Sequence, residues 1–302
     1  MKQYLSIDIG GTNIKYALLD TAGNIVEKDK VSTPTADLQT FMKAIYQIVE
    51  QYKDRVKGIA FSAPGKIDVH TKTIYYGGAL QFLHKACMKE LIEDRYNIPV
   101  GIENDGKAAA LAEMWLGNLK DVNNCAAVVL GTGVGGGIIV SGHLVRGTHF
   151  QAGELSFLLN GTDQDGKIAM EGSLGSAVQM ITRVNKALGN SNLKDGLAAF
   201  EAINAKQGQA WEIFESYCRE IAMIIFNIQA VIDLQKFAIG GGISAQPIVV
   251  KTINEQYLKL KSELGMFTEV LTSPQIVQAH FQNDANLYGA LYGLLLQLNG
   301  EQ

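Results

Sequence analysis

Apolar positions come in short runs punctuated by glycine. Tyr4 to Ile7 and Ile14 to Leu19 flank Asp8-Ile9-Gly10-Gly11-Thr12-Asn13, while Ala126 to Leu130 and Ile138 to Val140 flank Gly131-Thr132-Gly133-Val134-Gly135-Gly136-Gly137. Runs of this length, closed by turn residues, predict strand, glycine turn and returning strand. A second turn closes each unit, at Thr21-Ala22-Gly23-Asn24 and at Ser141-Gly142-His143, and a third extended segment follows in both. Beyond the first unit the spacing predicts a helix over Ala36 to Lys53, a strand at Gly58 to Ser62 and a turn at Ala63-Pro64-Gly65. A helix over about Phe82 to Tyr96, a strand at Pro99 to Glu103 and an alanine-rich helix from Asp105 to near Gly117 come next.

After Asp121 the order recurs, with a long amphipathic helix from about Trp211 to Ile232 and a strand at Lys236 to Ile239 that runs into Gly240-Gly241-Gly242. The last helix, Ala285 to Leu298, is expected to pack back on the first domain, and Gly189 to Gly196 and Asn160 to Lys167 read as surface loops. Alternating strands and helices predict the α/β class. One supersecondary unit used twice predicts a duplicated fold with a cleft between its halves. The domains expected are residues 1–117 with 285–302, and residues 118–284.

Composition narrows the field. A chain of 302 residues suits two domains of ordinary size, and 47% hydrophobic with 19% charged residues is ordinary for a globular enzyme. A net charge of −4 and a pI near 5.8 give no electrostatic footprint for nucleic acid or an anionic membrane. The longest apolar segment, Ile221 to Ile232, is broken by Asn227 and Gln229 and suits a buried helix better than a span. The first strand opens almost at once, so neither signal nor transit segment is expected. Cys87, Cys125 and Cys218 form no pairing pattern, which predicts a cytoplasmic protein. The five histidines show no metal-ligand spacing.

Two glycine turns, each with a hydroxyl (Thr12 and Thr132), suit phosphate oxygens, because glycine permits positive φ and close approach and successive N–H groups can share one concavity. Gly131-x-Gly133-x-x-Gly136 also spells a dinucleotide fingerprint, which requires a helix directly after it. The β-branched run after Gly137 argues against that reading. No P-loop is present, since Gly65-Lys66, Gly106-Lys107 and Gly166-Lys167 are followed by Ile, Ala and Ile. Glu103-Asn104-Asp105 falls where a strand ends and a helix begins, the edge at which α/β folds collect ligands. A carboxylate there could take the proton of an acceptor hydroxyl, and a helix cap is the plainer use of Asn104 or Asp105. Glu154 and Glu171 stand outside any charge pattern as possible hydroxyl acceptors, with surface charge the alternative. Gly240-Gly241-Gly242 could pass close to an adenine or ribose, or be a tight connection.

Taken together, Asp8-x-Gly10-Gly11-Thr12-x-x-Lys15, Ala63-Pro64-Gly65, Glu103-Asn104-Asp105, Gly131-Thr132-Gly133-x-Gly135-Gly136, Ala152-Gly153-Glu154, Glu171 and Gly240-Gly241-Gly242-Ile243 resemble the ROK family of sugar kinases and repressors. The resemblance implies the actin-like/ribonuclease-H-like fold, ATP with Mg²⁺, a hexose in the cleft and a homodimer. It implies Asp105 as base, with Asn104, Glu154 and Glu171 on sugar hydroxyls and Gly65 and Gly78 at the sugar site. Gly10, Gly11, Thr12, Asn13 and Lys15, with Gly131, Thr132 and Gly133, would bind phosphates, Gly240 to Gly242 the adenosine, and Asp8 would lie near the metal.

Three departures refine this picture. Phe157 stands where the family usually has His, the zinc loop is missing from Asn160 to Met170, and Gly77-Gly78-Ala79 stands where a hexose-gripping Asn is common. No structural zinc is expected, and Phe157 would offer an apolar wall. This pattern is similar to β-glucoside kinases of the family, which share Ser62-Ala63-Pro64-Gly65-x-Ile67-Asp68-x-His70 and Gly77-Gly78-Ala79 and phosphorylate the 6-hydroxyl of a glucosyl unit in disaccharides such as cellobiose. A glucokinase or N-acetylmannosamine kinase is the next expectation. A sugar-responsive regulator would carry a helix-turn-helix ahead of the first strand, where only Met1 to Gln3 stand.

Overall fold

The computed structural model describes residues 2–162 and 168–301. The chain forms two compact units: Met1–Lys120 with His143–Ala152 and Asn283–Gln302, and Asp121–Gly142 with Gly153–Gln282.

The first unit is built on a five-stranded sheet, in the order β3-β2-β1-β4-β5, from β1 (Gln3–Ile9), β2 (Asn13–Asp20), β3 (Ile25–Ser32), β4 (Val56–Ala63) and β5 (Val100–Asn104). The first three strands run antiparallel, whereas β4 joins β1 and β5 joins β4 in parallel. Alternation along β1 serves two cores at once. Leu5, Ile7 and Ile9 enter a cluster with Phe41, Ile45 and Val49 of α1 (Leu38–Tyr52). Tyr4 points the other way, to Leu287, Leu291 and Leu294 of the C-terminal helix Ala285–Asn299. That helix also lies against α2 (Asp105–Trp115), so closely that a Cβ on Gly289 would strike the Ala108 carbonyl. The last helix therefore belongs to the first unit. The outer strand β3 carries Glu27, Lys28, Asp29 and Lys30 in exposed positions, a charged edge that discourages pairing with another sheet.

The second unit repeats the plan. Strands β6 (Cys125–Leu130) and β7 (Val134–Val140) form an antiparallel pair, and β8 (Lys236–Gly240) and β9 (Gln275–Gln278) extend it in parallel in the order β7-β6-β8-β9. Helices Gly208–Ile232 and Pro247–Leu264 pack together, with Phe226 against Tyr257 at 6.1 Å between ring centroids, and Pro247–Leu264 lies against β9. The α/β class and the duplicated actin-like architecture hold.

Three local expectations are corrected. The segment Phe82 to Tyr96 is not one helix. Leu83 and Ala86 are drawn into the core, Lys85 takes a left-handed φ of 67°, and Ala86–Cys87 pairs in a small sheet with Lys66–Asp68 and Thr73–Tyr75. A single 3-10 turn covers Gln81–Leu83, and helical turns resume only at Lys89. The second glycine turn is shorter than its composition suggests. Gly135, Gly136 and Gly137 lie in the β6–β7 ladder, and Gly136 is needed there because a Cβ would sit 2.6 Å from Leu155 Cδ1. Within Asn160 to Lys167, residues 163–167 lie outside the described residues, while Leu159–Thr162 forms a strand paired with Ile168–Met170.

Candidate active site

Strand β5 ends at Asn104 and α2 begins at Asp105, because Asn104 takes an extended conformation and its Oδ1 accepts from the Lys107 amide at 3.2 Å. The cap is therefore real. The same side chain also donates from Nδ2 to the Gly65 carbonyl at 3.0 Å, so it ties the strand end to the Ala63-Pro64-Gly65 turn. Asp105, the first residue of the helix, is exposed, and its Oδ1 accepts from the Gly106 amide at 2.7 Å. A carboxylate at the positive end of an eleven-residue helix interacts favourably with the oriented peptide dipoles. Gly65 has φ of 92°, and a Cβ there would lie 2.6 Å from the Tyr75 carbonyl and against that of Tyr76. Only glycine closes this loop against its neighbour.

Beneath Asp105 lies a pair that sequence reasoning missed. Glu103 is buried, and its Oε2 accepts from Arg146 Nε at 2.9 Å and Nη2 at 2.8 Å, while Oε1 accepts from the Asn104 amide at 3.0 Å. Arg146 arrives on the segment His143–Ala152, which returns to the first unit after β7. Nothing near Arg146 in the sequence marks it.

The first glycine turn is braced by Gly10 N–H to the Asn13 carbonyl at 3.1 Å and by Thr33 Oγ1 to the Gly10 carbonyl at 2.6 Å, which leaves Gly11 and Thr12 exposed. Asp8 is buried beside it. Its Oδ1 accepts from Asn286 Nδ2 at 3.0 Å and its Oδ2 lies 3.7 Å from Lys15 Nζ, which donates to the Asn283 carbonyl at 2.9 Å. Burial raises the Asp8 pKa, while the Asn286 hydrogen bond and the Lys15 charge oppose the rise. Among the described residues no group of three or more His, Cys, Asp or Glu is placed to share a metal ion.

In the second turn the Gly131 amide donates to the Gly133 carbonyl at 3.0 Å, and the Gly131 carbonyl accepts from Ala177 N–H at 3.0 Å, so Thr132 is presented outward at the start of helix Ala177–Ala187. Ser156, which the sequence did not single out, braces it by accepting from Val134 N–H at 2.9 Å. A Cβ on Gly133 would meet its Oγ at 2.7 Å. Gly10, Gly11, Gly131 and Gly133 do not have positive φ, contrary to expectation. At Gly10 and Gly133 glycine is required by close approach instead. Glu154 precedes the short 3-10 turn Leu155–Phe157 and Phe157 ends it, Glu154 half-buried and Phe157 67% exposed. Glu171 is buried at the first position of the turn Glu171–Leu174, and its Oε2 has no hydrogen-bond partner among the described residues. Burial, reinforced by the charge of Glu220, pushes its carboxyl from an ordinary 4.5 up to about 7.

Positive φ is found in the third turn. Gly241, at φ of 92°, turns so tightly over Leu130 that a Cβ would lie 2.7 Å from that residue's carbonyl carbon. Gly242, with nothing within 4 Å of its Cβ position, opens onto a cavity of about 480 Å³ walled also by Ile243, Gln246, Asn192, Lys194 and Phe200. Of the three glycines only Gly242 lines this space. The supposed surface loop Gly189 to Gly196 supplies part of its wall. A second cavity, of about 360 Å³, lies in the first unit between Tyr76, Gly77, Gly78, Gln81 and His84.

The ROK family model matches residues 4–295. A β-glucoside kinase of Listeria innocua is 30% identical over 299 residues, covering 97% of this chain and 98% of its own. A glucokinase of Halalkalibacterium halodurans is 27% identical, covering 95% and 93%. Among solved structures, a ROK family protein from Streptococcus pneumoniae TIGR4 in complex with sucrose superposes with a TM-score of 0.87 at 30% identity, covering 99% of this chain and 100% of that one.

Proposed function

The chain belongs to the ROK family, and from that premise we propose that it transfers the γ-phosphate of ATP to the 6-hydroxyl of a glucosyl unit in a β-glucoside such as cellobiose. It is an ATP-dependent carbohydrate kinase. The observation that carries the finer reading is the strand end at Asn104-Asp105, where an exposed carboxylate at a helix N-terminus follows the Asn104 side chain that holds the Gly65 carbonyl, and Gly78 of the cavity wall packs against Pro64 of the same loop.

In this reading Asp105 accepts the hydroxyl proton as the hydroxyl oxygen bonds to the γ-phosphorus and the bridging bond to the β-phosphate breaks. Asn104, Glu154 and Glu171 hold sugar hydroxyls, Gly65 and Gly78 border the ring, and Phe157 gives it an apolar wall. Gly10, Gly11, Thr12 and Asn13 face one part of the triphosphate and Gly131, Thr132 and Gly133 another, with Lys15 near its charge. Gly240 and Gly241 shape the turn that lets Gly242 open the adenosine cavity. A Mg²⁺ ion, which neutralises phosphate charge when bound, fits Asp8. Its carboxylate is held in place by Lys15 and Asn286. The same reading places the enzyme in the cytoplasm as a homodimer. No helix among the described residues is long and apolar enough to cross a membrane.

The test is ADP release with ATP and Mg²⁺ against glucose, cellobiose, gentiobiose, sucrose, N-acetylmannosamine and fructose, with Asp105→Asn as the blank. Turnover favouring the β-linked disaccharides is expected. Turnover favouring a monosaccharide would keep the kinase and overturn the glucoside, and silence across the panel would favour a sugar sensor.

A further inference from the structure

Tyr76 is hard to explain as a structural residue. Its side chain is 73% exposed, and its backbone sits at φ of 54°, a region that bulky residues avoid. Yet it is firmly held. Its N–H donates to His84 Nδ1 at 3.3 Å and its carbonyl accepts from Gly78 N–H at 2.7 Å and packs on Gly65. Its ring is backed by the His84 ring at 4.8 Å between centroids and 38° between planes. Tyr75 supports His84 in turn, edge-on at 6.0 Å, and Lys66 Nζ lies 4.7 Å from the Tyr75 ring centre. A layered stack that fixes one outer aromatic face toward a cavity is a platform.

We infer that the Tyr76–His84 stack seats the group carried on the anomeric carbon of the phosphorylated glucosyl unit, a second sugar ring or an aryl ring. The inference rests on the β-glucoside reading and deepens it. The chemistry of the walls selects the ligand. None of the five lining residues is a carboxylate, a lysine or an arginine, and their aromatic faces stand beside the Gln81 amide and the Gly77-Gly78 backbone. A neutral ring with an apolar face and hydroxyl edges satisfies both. His84 Nδ1 acts as acceptor, so its ring proton lies on Nε2, a donor for such a hydroxyl. A space of about 360 Å³ is at the small end of ligand pockets and suits one ring.

The position agrees. The Tyr76 carbonyl packs on Gly65, whose own carbonyl holds Asn104 beside Asp105, and a Cβ on Gly11 of the first turn would lie 3.9 Å from Ala79 Cβ. A glucosyl unit with its 6-hydroxyl at Asp105 lies beside the platform, and its anomeric substituent is the part free to extend over it.

The test is steady-state kinetics of wild type, Tyr76→Ala, Tyr76→Gly, Tyr76→Phe and His84→Ala with methyl β-glucoside, phenyl β-glucoside and cellobiose. Tyr76→Ala should lower kcat/KM for cellobiose and phenyl β-glucoside about 5- to 10-fold, the scale of one aromatic contact, through KM. Methyl β-glucoside should move by less than about twofold, Tyr76→Phe should stay near wild type, and His84→Ala should fall between. The platform is overturned if Tyr76→Ala keeps the wild-type preference for the larger glucosides. It is also overturned if Tyr76→Ala and Tyr76→Gly lose all three substrates equally, which would mark the ring as structural. The substrate reading fails separately, and the platform with it, if wild type takes hexoses and no glucoside.

Discussion

Replacing Glu171 with Gln keeps the shape of the side chain and removes its ability to ionise, so it isolates the energetic consequence of burying that carboxyl. In the folded protein burial, with Glu220 adding to it, raises the group from an ordinary 4.5 to about 7. Below the lower value both folded and unfolded chains hold the proton and no penalty exists. Between the two values the folded state holds more protons than the unfolded one, so stability falls as pH rises, and above about 7 the loss is complete. At 1.36 kcal/mol per tenfold in proton affinity the ceiling is about 3 kcal/mol, and residual solvent screening brings the expected loss to about 1–2 kcal/mol. Urea unfolding of wild type and Glu171→Gln at pH 5, 6, 7 and 8 measures it. Asp8, also raised by burial, titrates equally in both proteins and cancels in the difference. The variant should gain on wild type by about 1–2 kcal/mol between pH 5 and 8, and a difference that stays flat with pH would refute the reasoning.

Asp105→Asn should lower turnover by roughly 10²- to 10⁴-fold, the usual contribution of a general base. Sugar affinity by calorimetry should change far less, and near-normal turnover would remove Asp105 from that role. Arg146→Ala leaves the Glu103 carboxylate buried without its cation and should cost about 3–5 kcal/mol by denaturant unfolding. Arg146→Lys should recover only part of this, since lysine cannot reproduce the two-pronged contact; full stability of Arg146→Ala would show that the pair is not structural.

The strands, the long helices and the duplication were legible because each rests on local periodicity. The β1–β2 and β6–β7 hairpins and the helices after Asp105 and near Trp211 stand within a few residues of where apolar spacing puts them. The region Phe82 to Tyr96 misled because its apolar residues fit a helical period while serving a core that draws in Leu83 and Ala86 separately. The glycine turns were recognisable, but the reason for glycine was not. Whether Gly133 is required by φ or by Ser156 Oγ depends on a contact across 23 residues that no local pattern encodes. The motif residues of the candidate site were all visible. The residues that hold them were not, since Arg146, Asn283 and Asn286 reach Glu103, Lys15 and Asp8 from distant parts of the chain. Tyr76 and His84 gave no signal, because an exposed aromatic on a loop is ordinary until its backbone strain and its partner are seen.

Helix Ala285–Asn299 closes the first unit from beyond the second. Its residues anchor Asp8 and Lys15 and cover Tyr4, while Gly289 nests against Ala108. On the ribosome domains generally fold as they emerge, the N-terminal one first. Here residues 121–142 and 153–282, which make up the second unit, must be synthesised before residues 283–299 can complete the first. The sheet of the first unit is made before the second unit and completed after it, and until then it exposes the face that Leu287, Leu291 and Leu294 will cover. A chain stalled or cut before residue 283 therefore displays an apolar surface and an unbraced Asp8, so partial products mark themselves for chaperones and proteases.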